Sequence, residues 1–61
     1  MERKDKNIIP TNDKGHAHGY CELFWDNGKL RYKGNFINGK PIGYSESYNI
    51  NGNLILQVFF A

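Results

Sequence analysis

The sequence predicts an all-β fold, an antiparallel meander of about four strands, and three observations carry that reading. Asn-Gly occurs three times, at Asn27-Gly28, Asn38-Gly39 and Asn51-Gly52. Between alternating segments it is the strongest short-range hairpin signal, because both residues tolerate positive φ. The 61 residues include seven Gly, eight Asn and nine aromatics but two Ala, a balance that suits turns and strands rather than helices. Between the first two turns the pattern alternates: Leu30, Tyr32 and Phe36 share one face with Gly34, while Arg31, Lys33 and Asn35 share the other.

Four strands follow, over residues 19–25, 30–37, 44–50 and 54–60. A two-residue turn at Asn27-Gly28 sets Trp25 opposite Leu30, Leu23 opposite Tyr32 and Cys21 opposite Gly34. On the reverse side it sets Glu22 against Lys33 and Phe24 against Arg31, so one register satisfies both faces. The second connection is expected to be longer, because Pro41 donates no ladder hydrogen bond and Gly43 interrupts the strand. Phe36 then pairs with Tyr44, Tyr32 with Tyr48 and Leu30 with Ile50. A three-residue loop, Asn51 to Asn53, would set Ile50 against Leu54, Tyr48 against Leu56 and Tyr44 against Phe60. A two-residue loop sets Leu54 and Leu56 against Asn49 and Ser47, a poorer match.

Size and charge narrow the function. A chain this short forms one domain with a marginal core. The net charge of +2 is too small to argue for nucleic acid alone, and one cysteine excludes an internal disulfide framework. No apolar run approaches the length of a membrane helix, and the charged residues 1–7 are not followed by a secretory core, so the expected location is the cytoplasm. The abundance of Asn, Ile and Lys fits an AT-rich coding genome, such as that of a low-GC bacterium or a phage. Residues 1–13 are expected to form a short, charged, disordered N-terminal arm, with Ile8-Ile9-Pro10 available as a small clamp.

Residues 14–61 read as two 24-residue hairpin units, 14–37 and 38–61. A shift of 24 aligns Gly15 with Gly39, Gly19 with Gly43, Tyr20 with Tyr44, Glu22 with Glu46, Asn27-Gly28 with Asn51-Gly52, Leu30 with Leu54 and Phe36 with Phe60. The stretches DNGKLRYKGNF, NGKPIGYSESY and NINGNL resemble the MORN repeat (membrane occupation and recognition nexus), and more closely its bacterial variant. The resemblance implies β-hairpin units in an extended sheet, a role as a scaffold or interaction surface, and relatives that include antitoxins. It implies no catalytic residue. The second unit departs from the first at Asn49, where the first has Trp25, and at Val58, where the first has Gly34.

Candidate chemistry is sparse. His16, His18 and Cys21 suggest a metal site, but nothing completes the four-ligand set zinc requires, and the repeat accounts for this segment as a connector. Cys21 as a nucleophile lacks a histidine on its own side of the pleat, and Glu22 faces Lys33 rather than a second carboxylate. No cofactor, no metal and no enzymatic activity are expected. Tyr20, Phe24, Lys29, Arg31 and Lys33 combine aromatics with cations, the ingredients of a single-stranded nucleic-acid surface, but Glu22 and Asp26 offset part of that charge.

The strongest functional signal is a surplus of apolar side chains. Leu23, Trp25, Leu30, Tyr32, Phe36, Tyr44, Tyr48, Ile50, Leu54, Leu56, Val58 and Phe60 fall on one face, which a single sheet must cover with another layer. The final strand, LILQVFF, is also apolar on its reverse side through Ile55 and Phe59, and it carries no charge at an edge. The expected function is a non-enzymatic protein-binding module, an inhibitor or antitoxin-like protein docking its sheet on a partner. The expected contact residues are Trp25, Tyr32, Tyr44, Tyr48, Ile55, Leu56, Phe59 and Phe60. The expected partner is a host or toxin enzyme, a second copy through the last strand, or both. A small β-sheet protein for single-stranded nucleic acid is the alternative.

Overall fold

The computed structural model describes residues 6–61; residues 1–5, the start of the expected N-terminal arm, lie outside the described residues. It is an all-β meander of β1 (Gly19–Phe24), β2 (Leu30–Ile37), β3 (Lys40–Tyr48) and β4 (Leu54–Phe60) in one antiparallel sheet of order β1-β2-β3-β4. The molecule measures 30 × 29 × 10 Å, the thickness of a single layer. Among the described residues Cys21, 2% exposed, is the one buried apolar side chain, and Ser45, at 3%, is the buried polar one across Gly34 from it.

The central pairs of the first hairpin match expectation: Cys21 faces Gly34, Glu22 faces Lys33 and Leu23 faces Tyr32. The end of the hairpin differs. Phe24 faces Leu30, not Arg31, across an irregularity after Leu23, and the Trp25 N–H bonds the Lys29 carbonyl, so Trp25 does not oppose Leu30. The cause is the turn. Gly28 donates to the Trp25 carbonyl, and Gly28 has a positive φ (89°) whereas Asn27 does not. This is a type I turn closed by a glycine bulge, with Asp26, Asn27 and Gly28 in the loop, instead of the expected two-residue turn with positive φ at both positions. Asn51-Gly52 repeats it: Gly52 donates to the Asn49 carbonyl and the Asn49 N–H to the Asn53 carbonyl.

The two-residue turn forms instead at Asn38-Gly39, where φ is 51° and 82°. It closes at once, with Ile37 opposite Lys40, so β3 begins at Lys40 and Pro41 sits opposite Phe36. The expected pairs Phe36–Tyr44, Tyr32–Tyr48 and Leu30–Ile50 are therefore not formed. Tyr32 faces Ser47 and Gly34 faces Ser45. The mismatch is absorbed between Ile42 and Ser45, where Gly43 takes a φ of 68°. In the last hairpin Leu54 faces Tyr48, Leu56 faces Ser47 and Phe59 faces Tyr44. The loop is Ile50 to Gly52, not Asn51 to Asn53, and for Leu56 the register set aside in the sequence reading is the one adopted.

A one-residue slip moves a strand's side chains to the opposite face. Tyr44 and Tyr48 consequently leave the expected apolar face and stand beside Glu46 on the reverse side, where both hydroxyls bond its carboxylate.

The described part of the N-terminal arm is ordered along β1. Ile8 and Glu22 exchange backbone hydrogen bonds, Asn7 Oδ1 accepts the Phe24 N–H at 2.7 Å, and the His18 N–H donates to the Pro10 carbonyl. Thr11 bridges Ala17 across a turn at Asn12–Gly15. That turn copies the one at Asn49–Gly52: the carbonyl of each Asn accepts from the Gly three residues on, and its Oδ1 caps two further N–H groups. The arm thereby covers the β1 edge of the sheet.

Candidate functional site

Among the described residues one edge of the sheet is covered by the N-terminal arm and no segment pairs with the other, which is β4. Its pairing with β3 skips Ile55, between Leu54 opposite Tyr48 and Leu56 opposite Ser47; Ile55 lies with Leu23, Trp25, Tyr32 and Ser47, and Phe59 lies with Tyr44 on the reverse side, so both sides of the strand present apolar groups. Phe59 is 81% exposed, Ile55 61% and Leu56 55%; Leu54 and Phe60 are also exposed, and Val58 is half-buried. No charged side chain falls within Leu54–Phe60. Proteins usually protect such an edge with charge, Pro or a covering segment; here the covering segment is spent on β1.

Next to β4 the reverse face carries a polar and aromatic lattice. The row Glu22, Lys33, Glu46, Gln57 runs straight across the four strands. Glu46 is its hub. It accepts from the Tyr44 hydroxyl at 2.6 Å and from the Tyr48 hydroxyl, and pairs with Lys33 Nζ at 3.3 Å. These donors, the tyrosine hydroxyls first, hold the Glu46 carboxyl at about 2, against an ordinary 4.5. In turn the carboxylate pushes Tyr44, Tyr48 and Lys33 above their ordinary values. Gln57 Nε2 donates to the Tyr44 hydroxyl at 2.6 Å, which ties β4 to the hub. The Tyr44 ring meets the exposed Phe59 ring at 5.0 Å between centroids. The 24-residue repeat has a counterpart here, since Tyr20 bonds Glu22 as Tyr44 bonds Glu46.

Of the eight expected contact residues, five gather at this edge: Tyr44, Ile55, Leu56, Phe59 and Phe60. The other three are engaged within the chain. Trp25 Nε1 donates to the Tyr48 carbonyl at 3.1 Å and its ring lies under the Arg31 guanidinium at 4.9 Å. Tyr32 stacks obliquely on Phe36, and Tyr48 is bonded to Glu46. The turn residues also serve as ties: Asn27 Nδ2 donates to the Ile50 carbonyl, and Asn12 Nδ2 to Asn38 Oδ1.

The residues of the nucleic-acid alternative do not form one surface: Tyr20 and Lys33 line one concavity, Phe24 and Arg31 another. Lys33 lies between Glu22 and Glu46, Arg31 covers Trp25, Tyr20 is bonded to Glu22, Phe24 pairs with Leu30, and Lys29 sits in the turn. His18 Nδ1 accepts the Asn38 N–H, which fastens the connector to the β2–β3 turn. Burial raises the Cys21 thiol above its ordinary value, the wrong direction for a nucleophile. Among the described residues no three His, Cys, Asp or Glu side chains gather to hold a metal ion, and no helix is long and apolar enough to cross a membrane.

No family profile, curated protein or solved structure matches the chain.

Proposed function

We propose that this chain is a non-enzymatic protein-binding module that acts by docking the β4 edge, with Tyr44 beside it, onto a protein surface. The observation that carries this reading is an uncharged outer strand with Ile55, Leu56 and Phe59 exposed, in a sheet whose other edge is covered. An unprotected edge offers a partner both backbone hydrogen bonds and alternate side-chain pockets, the elements of β-strand addition. A bacterial or phage inhibitor, antitoxin-like and occupying the surface of a toxin or host enzyme, is the concrete form of the proposal. It draws on the MORN-like repeat. Lys33 and Arg31, engaged by Glu46 and Trp25, favour this over nucleic-acid binding.

Affinity capture on immobilised chain, with mass spectrometry, tests the reading. A partner should be retained as salt rises, since apolar docking does not weaken as phosphate contacts do. It should be lost with Phe59→Glu and kept with Arg31→Glu and Lys33→Glu. The opposite pattern, with steep loss in salt, would establish the nucleic-acid alternative.

A further inference from the structure

We infer that the concavity between Trp25 and Ile55, on the face of the sheet away from Glu46, binds the free carboxyl end of a peptide whose last residue is apolar. Two pairing irregularities build it. Between Leu23–Tyr32 and Phe24–Leu30 the β1–β2 ladder skips Arg31, and between Ser47–Leu56 and Tyr48–Leu54 the β3–β4 ladder skips Ile55. The two skipped residues stand 24 apart, at the same position of the repeat. Strict alternation would put Arg31 beside Lys33 on the reverse face. An extra, unpaired residue in a ladder re-aims its side chain. Both irregularities deliver theirs to one place, for Arg31 and Ile55 line a concavity of about 340 Å³ together with Leu23, Trp25, Tyr32 and Ser47.

Charge selects the occupant. Trp25 is a fixed floor: its Nε1–H donates to the Tyr48 carbonyl at 3.1 Å, and the Arg31 guanidinium lies over its ring at 4.9 Å. Stacking uses the face of the guanidinium and leaves the fork of N–H groups along its edge for an anion. Among the described residues the one ion pair is Lys33–Glu46, so Arg31 has no carboxylate of its own; Asp26 lines the adjoining concavity with Arg31 but does not pair with it. A single guanidinium beside an apolar surface complements a single carboxylate carried by an apolar group. The volume is at the small end of ligand sites, about 300–1,000 Å³, and suits one large side chain. Consecutive side chains of an extended segment point to opposite faces, so an internal acidic residue and its apolar neighbour do not enter together. A chain terminus carries its carboxylate and its side chain on the same Cα, and both enter. The groove is also open, with Ile55 61% exposed. Such a wall does not enclose a small free acid, but it lets the rest of a peptide leave along the sheet. Phe59 and Tyr44 lie on the reverse side, so this site stands or falls apart from docking at the β4 edge.

Trp25 is the chain's one tryptophan, so its fluorescence and its indole N–H resonance report on the site. Titration with acetyl-Gly-Gly-Leu as the free acid should give a saturable change. The C-terminal amide of the same peptide should bind about ten- to a hundredfold more weakly, for want of the charge-assisted pair. Acetyl-Leu-Glu-Gly amide, whose carboxylate is internal, should bind no better than that amide. Arg31→Gln should abolish the preference for acid over amide, and Arg31→Lys, which keeps the charge but not the planar fork, should retain part of it. Ile55→Glu sets a carboxylate of its own in the groove and should abolish binding. Acid and amide titrating alike in the parent overturns the inference. So does an internal carboxylate that binds as tightly as the terminal one, or the absence of any change in either signal up to about 10 mM acid. These comparisons use the parent and hold even if a variant fails to fold. The docking reading fails separately, through partner capture that Phe59→Glu leaves intact.

Discussion

Gly34 is the glycine with the least room for a side chain. A β-carbon there would stand 2.9 Å from Ser45 Cβ and 3.2 Å from the Tyr32 hydroxyl, in the buried row that joins Cys21, Gly34 and Ser45. Neither Ser45 nor Gly34 can retreat without moving its strand, so Gly34→Ala is expected to destabilise by about 1–3 kcal/mol. Thermal melts of variant and parent check this, with about 4–8 °C of Tm expected per kcal/mol in a domain of this size. The turns make a second contrast. Asn38 holds a φ of 51°, whereas Asn27 does not have a positive φ. Asn38→Val is therefore expected to cost about 1–3 kcal/mol through backbone strain. Asn27→Ala should act through its lost bonds to the Lys29 N–H and the Ile50 carbonyl. Asn27→Asp retains the first acceptor and should recover part of the loss; if it melts no higher than Asn27→Ala, the turn assignment is wrong. The side chain of His18 has a structural role at this scale, so His18→Ala should loosen the connector and leave docking intact.

At the scale of the strand, Glu46 couples β2, β3 and, through Tyr44 and Gln57, β4. Its carboxyl is lowered from 4.5 to about 2. A group depressed in the folded state stabilises above its unfolded value and loses that contribution as pH falls through the folded one. Stability should therefore decline from about pH 4.5 towards pH 2, and Glu46→Gln should flatten the decline in that window. Melts of both proteins across this range decide it: equal slopes would remove Glu46 from its place as hub. The same strands show what the sequence discloses. The centre of the β1–β2 pairing was legible because Glu22–Lys33 and Leu23–Tyr32 satisfy both faces at once. The β2–β3 register was not, because Pro41 and Gly43 read as strand breakers. The chain instead begins pairing directly after Asn38-Gly39 and takes up the mismatch at Gly43. That displacement also hid the lattice, since Tyr44 and Tyr48 read as apolar-face residues until the slip turned them towards Glu46. The turn at Asn12–Gly15 was missed, although its Asn-x-x-Gly spacing recurs at Asn49–Gly52. Ile55 and Phe59 were read together on the reverse side of an uncharged strand; both are exposed, but the skip in the β4 pairing sets Ile55 beside Leu23, Tyr32 and Ser47 while Phe59 stays with Tyr44.

For the whole molecule the governing fact is thickness. A layer 10 Å deep, with Cys21 the one buried apolar side chain among the described residues, leaves many of its large apolar side chains exposed. A sheet of this kind gains stability from whatever covers it, and binding to the folded state alone raises apparent stability by mass action. The melting temperature should accordingly rise with protein concentration in the parent and be flat in the Ile55→Glu, Phe59→Glu double variant. The central claim is that the β4 edge is occupied when the protein is at work, and backbone amide exchange along Leu54–Phe60 tests it most directly. The β4 amides pointing away from β3 should exchange slowly at high concentration, and lose protection on dilution or in Phe59→Glu. Rapid exchange of those amides at every concentration, in a folded protein whose β2 and β3 amides stay protected, would contradict it.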